Sequence, residues 1–218
     1  MKKITLFSIL AAFMAVFAFT SCNTGSSDST SYLTKEQQDS YQAAMAFGSY
    51  DNMKLLWEKK NDANVKNQTD SVDTYCTVSM YKDSVITIAN FPIAELAEHI
   101  SDKDLSAAIA KEAPRTIRCK YMVLPNSTQT VAYFWACPEV LTLNLTYGEA
   151  SHKVQFVFSY NSYYAGVCTL SGTRQIAFQF LLYQIWVDDK QTNYIKNAAT
   201  GYNYVNFAVR PAYSQSNK

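Results

Sequence analysis

The chain has 218 residues, with 19 basic and 18 acidic side chains and a formal charge of +1. So even a balance, without a basic stripe or a block of like charge, argues against a nucleic-acid partner. No internal repeat is visible, and residues 33–218 fit a single globular domain of ordinary size.

Lys2 and Lys3 precede Ile4 to Phe19, sixteen residues without a charge. Sixteen helical residues reach only about 24 Å, less than the roughly 30 Å of a hydrocarbon core. The layout therefore predicts a secretory signal over residues 1–21, not a membrane-spanning helix. Small residues then lead to Cys22. Phe19-Thr20-Ser21-Cys22 resembles the lipobox of bacterial lipoproteins, with Phe19 where that pattern favours Leu. The resemblance implies acylation of Cys22 by several chains, palmitate among them, which suffices for stable anchoring where one chain does not. Residues 22–32 read as a flexible tether. Asn23 to Ser31 offer no apolar side chain to bury, and ten such residues reach roughly 17 Å. Removing residues 1–21 takes away two lysines and no acids, leaving 17 basic and 18 acidic groups.

Thr34 with Gln37 forms a capping box and Gly48 a stop, which predicts a helix with Tyr41, Ala44 and Met45 on its apolar face. Residues 52–59 alternate, Met53, Leu55 and Trp57 against Lys54 and Glu58, and predict a strand. The polar run 61–73 reads as a long loop or hairpin tip. Strands are expected at 74–81 and 84–90, joined by the turn Tyr81-Lys82-Asp83-Ser84. Pro92 suits the first turn of a helix carrying Ile93, Leu96, Ala97 and Ile100. A second helix follows Asp102 and stops at Pro114. From Thr116 the period becomes two: Ile117, Cys119, Tyr121 and Val123 share one face, and Val131, Tyr133, Trp135 and Cys137 share another. The turn signal Pro125-Asn126-Ser127 makes these two strands hairpin partners. Further strands are expected at 139–147, 152–160, 166–170, 174–187 and 202–210. The class predicted is α+β and β-dominated: an N-terminal helix, a helical pair near 92–113, and a mainly antiparallel sheet, sandwich or partial barrel.

LTKEQQDSYQAAMAFGSY (33–50) and ITIANFPIAELAEHI (86–100) resemble a family of small secreted lipoproteins of Bacteroidetes-type bacteria, catalogued as a domain of unknown function. That resemblance implies a cell-envelope location, with the outer membrane as the anchoring surface and the periplasmic or exposed side left open. It supplies no catalytic residues.

With Cys22 assigned to lipid, Cys76, Cys119, Cys137 and Cys168 remain. An exported chain can form disulfides, and the shared hairpin points to Cys119 with Cys137. The alternative is four small buried hydrophobes. Enzyme signatures are thin. Glu95 and His99 stand four apart on a helix, but two ligands do not make a metal site, and His152 reads as an exposed turn residue. Asp188-Asp189 reads as a turn in preference to a carboxylate pair for glycoside chemistry. No metal, no other cofactor and no catalytic residue is assigned, and the chain is read as a non-enzyme. Asp28-Ser29-Thr30, Asp70-Ser71-Val72 and Asp83-Ser84-Val85 each resemble the Asp-Ser/Thr-aliphatic acceptor for O-glycosylation in Bacteroidetes-type bacteria, which marks Ser29, Ser71 and Ser84.

Sixteen tyrosines remain to be explained. SYNSYYAG (159–166) carries Tyr160, Tyr163 and Tyr164 beside Asn161. TGYNYVNF (200–207) carries Tyr202 and Tyr204 with Asn206. Tyrosine with Asn and Ser is recognition chemistry, because rigid rings give contact area and amides give adaptable hydrogen bonds. The bland counterpart is that tyrosines cover a half-solvated sheet. The leading expectation is a membrane-anchored envelope module, non-enzymatic, that binds a glycan or an envelope protein. A structural subunit that docks through a flat, uncharged sheet edge is the second, and a hydrolase the third.

Overall fold

The structure, a computed structural model, describes residues 32–46, 48–58, 69–79, 84–196 and 204–212. The signal segment, most of the tether, Cys22, Ser29 and Tyr202 lie outside them. Residues Leu33–Lys218 form one compact unit.

The helix begins where its capping box puts it. Helix α1 is Lys35–Met45; Thr34 Oγ1 accepts from the Gln37 backbone N–H at 3.2 Å, and Gln37 Oε1 accepts from the Thr34 N–H at 2.9 Å. It stops at Met45, short of Gly48. The strands are β1 (Ser49–Glu58), β2 (Thr69–Val78), β3 (Val85–Phe91), β4 (Arg115–Val123), β5 (Val131–Pro138), β6 (Leu141–Tyr147), β7 (Ala150–Tyr160), β8 (Gly166–Thr169), β9 (Ile176–Val187), β10 (Lys190–Thr192) and β11 (Val205–Pro211). Every pairing is antiparallel.

The order β11-β1-β2-β3-β4-β5-β8-β9 returns to β11 through the β9–β11 pair, so eight strands close a barrel. The β9 strand, twelve residues long, serves both the barrel and the wing of the one sheet. Residues 176–182 pair with β8 and β11, and residues 180–187 pair with β7 and β10, with β6 added beyond β7. The expected sheet is therefore a closed barrel with a side wing, and β2 starts at Thr69, inside the stretch read as loop.

Eight strands leave room for side chains and little else. Phe91, Phe180 and Phe207 meet at ring-centre distances of 5.2 to 6.3 Å, with Phe158 5.9 Å from both Phe91 and Phe180. Such offset and edge contacts add roughly 0.5–1.5 kcal/mol per pair beyond simple burial. Gly166 is buried because nothing larger fits: a Cβ there would stand 2.7 Å from Phe134 Cζ and 2.8 Å from Phe178 Cβ. Helix α1 adjoins the ends of several strands. Tyr41 Oη donates to the Ser127 carbonyl at 3.0 Å, Gln42 Nε2 donates to Ser84 Oγ, and Tyr50 Oη donates to the Met45 carbonyl at 2.7 Å. The guanidinium of Arg174 donates to the Ala44 carbonyl, which satisfies one of the carbonyls the last turn leaves open.

The segment after Pro92 is a 3₁₀ helix, Ile93–His99, and not an α-helix. Its buried residues, Ile93, Leu96 and His99, recur every three positions, the 3₁₀ period. Helix α2, Lys103–Ile109, follows with the Asp102 carboxylate accepting from the Leu105 N–H at 2.9 Å. It packs against the 3₁₀ turn and β6.

The four cysteines are free thiols, and the expected Cys119–Cys137 bond is not formed. The register is the reason. Cys137 stands opposite Lys120, and Cys119 opposite Pro138, so the two side chains leave the hairpin on opposite faces. Cys119 points into the barrel at 0% exposure, while Cys137 shares the half-buried outer face of Val131, Tyr133 and Trp135.

Candidate functional site

A concave feature of the fold lies on the outer wall of the barrel. Strand register puts Leu56 of β1, Ala208 of β11 and Gln179 of β9 side by side, with Ala177 of β9 next to Val167 of β8. Ala177 and Ala208 are small, so the wall dips between the larger Leu56, Val167 and Arg210. The groove encloses about 460 Å³, within the range of small-molecule sites. Tyr164 and Ala165 overhang it from the β7–β8 loop, and Glu58, Thr69 and Arg210 also line it.

Asn161 shapes that loop. It is 7% exposed. Its Oδ1 accepts from the Tyr163 backbone N–H at 3.1 Å, a local turn that competes with continued strand. Its Nδ2 donates to Gln179 Oε1 at 3.1 Å, and Asn206 Nδ2 donates to the same oxygen at 3.3 Å. Asn161, Gln179 and Asn206 thus form a row of amides. The row ends unpaired: Asn206 Oδ1 is buried with no hydrogen-bond partner. Trp57, which also lines the groove and is 4% exposed, has a buried indole N–H with no partner either. An unsatisfied buried polar atom costs about 1–3 kcal/mol. The two atoms lie on opposite faces of the wall: Trp57 stands opposite the buried Phe207 and points into the barrel, whereas Asn206 shares the outer face of Ala208 and Gln179, so only the Asn206 acceptor is on the groove side, where a bound donor would complete it.

The predicted tyrosines divide. Tyr164, 61% exposed, lines the groove, and Tyr163, 90% exposed, stands beside it on the same loop. Tyr160 is instead half-buried and stacked on Trp135, ring centres 4.9 Å apart. Tyr204 is half-buried and outside the groove. Sequence reading missed Trp57 and Gln179. A signal existed for the second: in IAFQFLLYQIW the amide at 179 interrupts an apolar strand, and it lies diagonally across from Asn206 on one face.

The acid–histidine pairs lie elsewhere. Glu98, not Glu95, is the carboxylate next to buried His99, 3.3 Å from Nε2. His152 Nδ1 lies 2.7 Å from Asp188 Oδ2, and the His152 ring packs 4.4 Å from that of Tyr147. The hydrogen bond from His152, then that from the Lys153 N–H, holds the Asp188 carboxyl below its ordinary range. Burial first, then nearby acidic groups led by Asp102, pushes the Tyr147 hydroxyl up to about 12. Asp188-Asp189 is a two-residue turn with φ of 50° and 62°, as Gly148-Glu149 is with 54° and 66°. This dyad therefore joins strand β7 to the β9–β10 tip, away from the groove, and His152 is a half-buried strand residue and not the exposed turn residue expected. Among the described residues no three metal-ligating side chains cluster.

Of the O-glycosylation acceptors, Ser71 is an exposed strand residue, whereas Ser84 is half-buried and accepts from Gln42. The chain belongs to the family described as Domain of unknown function (DUF4840), whose model matches residues 44–187. No curated protein and no solved structure matches it.

Proposed function

We propose that this DUF4840 protein is a lipid-anchored envelope module, non-enzymatic, whose barrel wall binds a neutral glycan. The observation that carries the reading is an unfilled acceptor, Asn206 Oδ1, at the end of an amide row in a groove overhung by the exposed Tyr164 ring. A sugar hydroxyl can donate to that oxygen, and the exposed Tyr164 ring offers a face for a pyranose. Glu58 and Arg210 bring one charge of each sign, which favours no ionic ligand.

Glycan-array binding of residues 32–218 tests the groove. Tyr164→Ala and Asn206→Ala should each weaken binding about tenfold, the equivalent of one lost hydrogen bond or ring contact, while Tyr204→Ala, outside the groove, should leave it unchanged. Equal affinity of Asn206→Ala and wild type, or no glycan bound at all, would overturn the reading. Lipidation has its own test: an alkyne fatty acid should label the wild type in cells and not Cys22→Ser. Intact mass from the native host decides glycosylation at Ser29 and Ser71. Ser84 is the disfavoured acceptor, because a glycan there displaces the Gln42 contact.

A further inference from the structure

Closing a barrel removes edges. In the order of the sheet, β6 ends the wing, and β10 pairs only with β9. The two edges differ. Strand β10 has three residues and begins with Lys190, a short, charged edge of the kind that resists pairing. Strand β6 has seven residues, LTLNLTY, with no charge, no proline and no glycine. Leu143 and Leu145 are 4% exposed on its inner face, and Thr142, Asn144 and Thr146 are exposed on the other. Among the described residues, no loop, turn or cap hydrogen bond reaches its backbone outside the ladder with β7.

The centre of this edge, TLNLT (142–146), is a palindrome. Outward from Asn144 come Leu143 and Leu145, then Thr142 and Thr146, and then Leu141 and Tyr147. Two antiparallel strands related by a two-fold axis at residue 144 pair each position with its mirror. Thr142 then meets Thr146 of the second copy, Leu143 meets Leu145, Leu141 meets Tyr147, and Asn144 meets itself. Threonine pairs and aliphatic–aromatic pairs are the favourable cross-strand contacts, and an isologous interface needs this self-complementarity. One feature opposes it: Glu139 and Glu149 would face each other at the two ends. Arg118, 3.4 Å from Glu139, partly offsets that repulsion.

We propose that a second copy of this chain docks on β6, antiparallel and in register about Asn144, so that one sheet runs through both protomers. A single pair of seven-residue strands falls below the roughly 1,000 Å² of stable interfaces, so the association is weak and exchanging, and added salt tightens it by screening the glutamates.

The test is register-specific cross-linking of the full chain in its host membrane under mild oxidation. Directly opposed residues have Cβ atoms about 4.5–5.5 Å apart, close to disulfide reach, whereas diagonal ones are about 7–8 Å apart. Asn144→Cys should give a dimer band that wild type lacks, and so should the double variant Thr142→Cys with Thr146→Cys. Thr146→Cys alone should not. Cross-linking of Thr146→Cys as strong as that of Asn144→Cys, a band to a different protein, or no band from any variant overturns the proposal. Resistance of each variant to added protease shows that it is folded. Asn144→Lys, which sets two lysines against each other, should abolish amine-reactive dimer capture while folding is kept, and undiminished capture would also count against the pairing.

Discussion

The thiols show what one residue of register does. Cys119 and Cys137 read as hairpin neighbours, yet VAYFWACP is apolar at both parities, and alternation alone cannot say which set faces inward. The inward set is Ala132, Phe134 and Ala136. Burial then fixes the chemistry: it pushes the Cys76 thiol up to about 12 and that of Cys137 to about 11, against the latter a hydrogen bond at Tyr160 pulling down. The thiolate is the reactive species. Alkylation at pH 7.5 should therefore leave the folded protein unlabelled for hours, and denaturation without reductant should expose all four thiols, counted by mass. The same shifts set a pH dependence. A folded-state pKa above the unfolded one gives stability that is complete below the unfolded thiol value, about 8.5. That stability is lost as pH rises toward 11 and 12. Thermal melts at pH 7.5 and 10 should show the loss, and Cys76→Ala should shrink the difference. Trp57 carries a further expectation. Removing its unpaired donor by Trp57→Phe should leave the melting temperature unchanged or higher, since a buried group without a partner costs stability.

Local chemistry made α1 and α2 legible, because caps are read from adjacent residues: Thr34 with Gln37, and Asp102 with Leu105. Thr34→Ala should cost about 1 kcal/mol, visible as a lower urea midpoint with an unchanged slope. The 3₁₀ turn was misread because Ile93 and Leu96 fit both periods, and His99, the residue that decides between them, is polar. Strand β2 was cut short for a related reason. Its first residues, Thr69 to Asp73, alternate exposed with half-buried positions and carry no strong apolar signal. Strand β8 has the tightest requirement. Gly166→Ala forces a methyl group into the Phe134 and Phe178 side chains, an overpacking worth about 1–3 kcal/mol. Paired melts of that variant and of Gly172→Ala, where nothing lies within 4 Å, separate crowding from backbone conformation, since only Gly172 of the two has positive φ, at 67°.

At the scale of the molecule, antiparallel β-dominance was readable from short polar turns between alternating runs, but closure was not. Closure rests on β11 joining β1 on one side and β9 on the other, and pairing between segments about 150 residues apart leaves no mark in any window. The groove was half legible for the same reason. Tyr164 came from a local cluster, whereas Gln179, Ala208 and Leu56 become neighbours only when the barrel shuts.

That seam has a consequence for biogenesis. The strand that locks the first to the ninth is the last to be synthesised, and if the N-terminal segment directs export, also the last to cross. Until residue 211 has emerged, β1 and β9 each keep an open side, so the barrel cannot complete itself domain-first as the chain arrives. A polypeptide threaded through a narrow channel gains from this delay, because it stays unfolded until its passage is over. A nonsense change just before Val205 would remove the closing strand and should turn the product into an aggregate or a protease substrate, measurable as loss of the folded protein from cells.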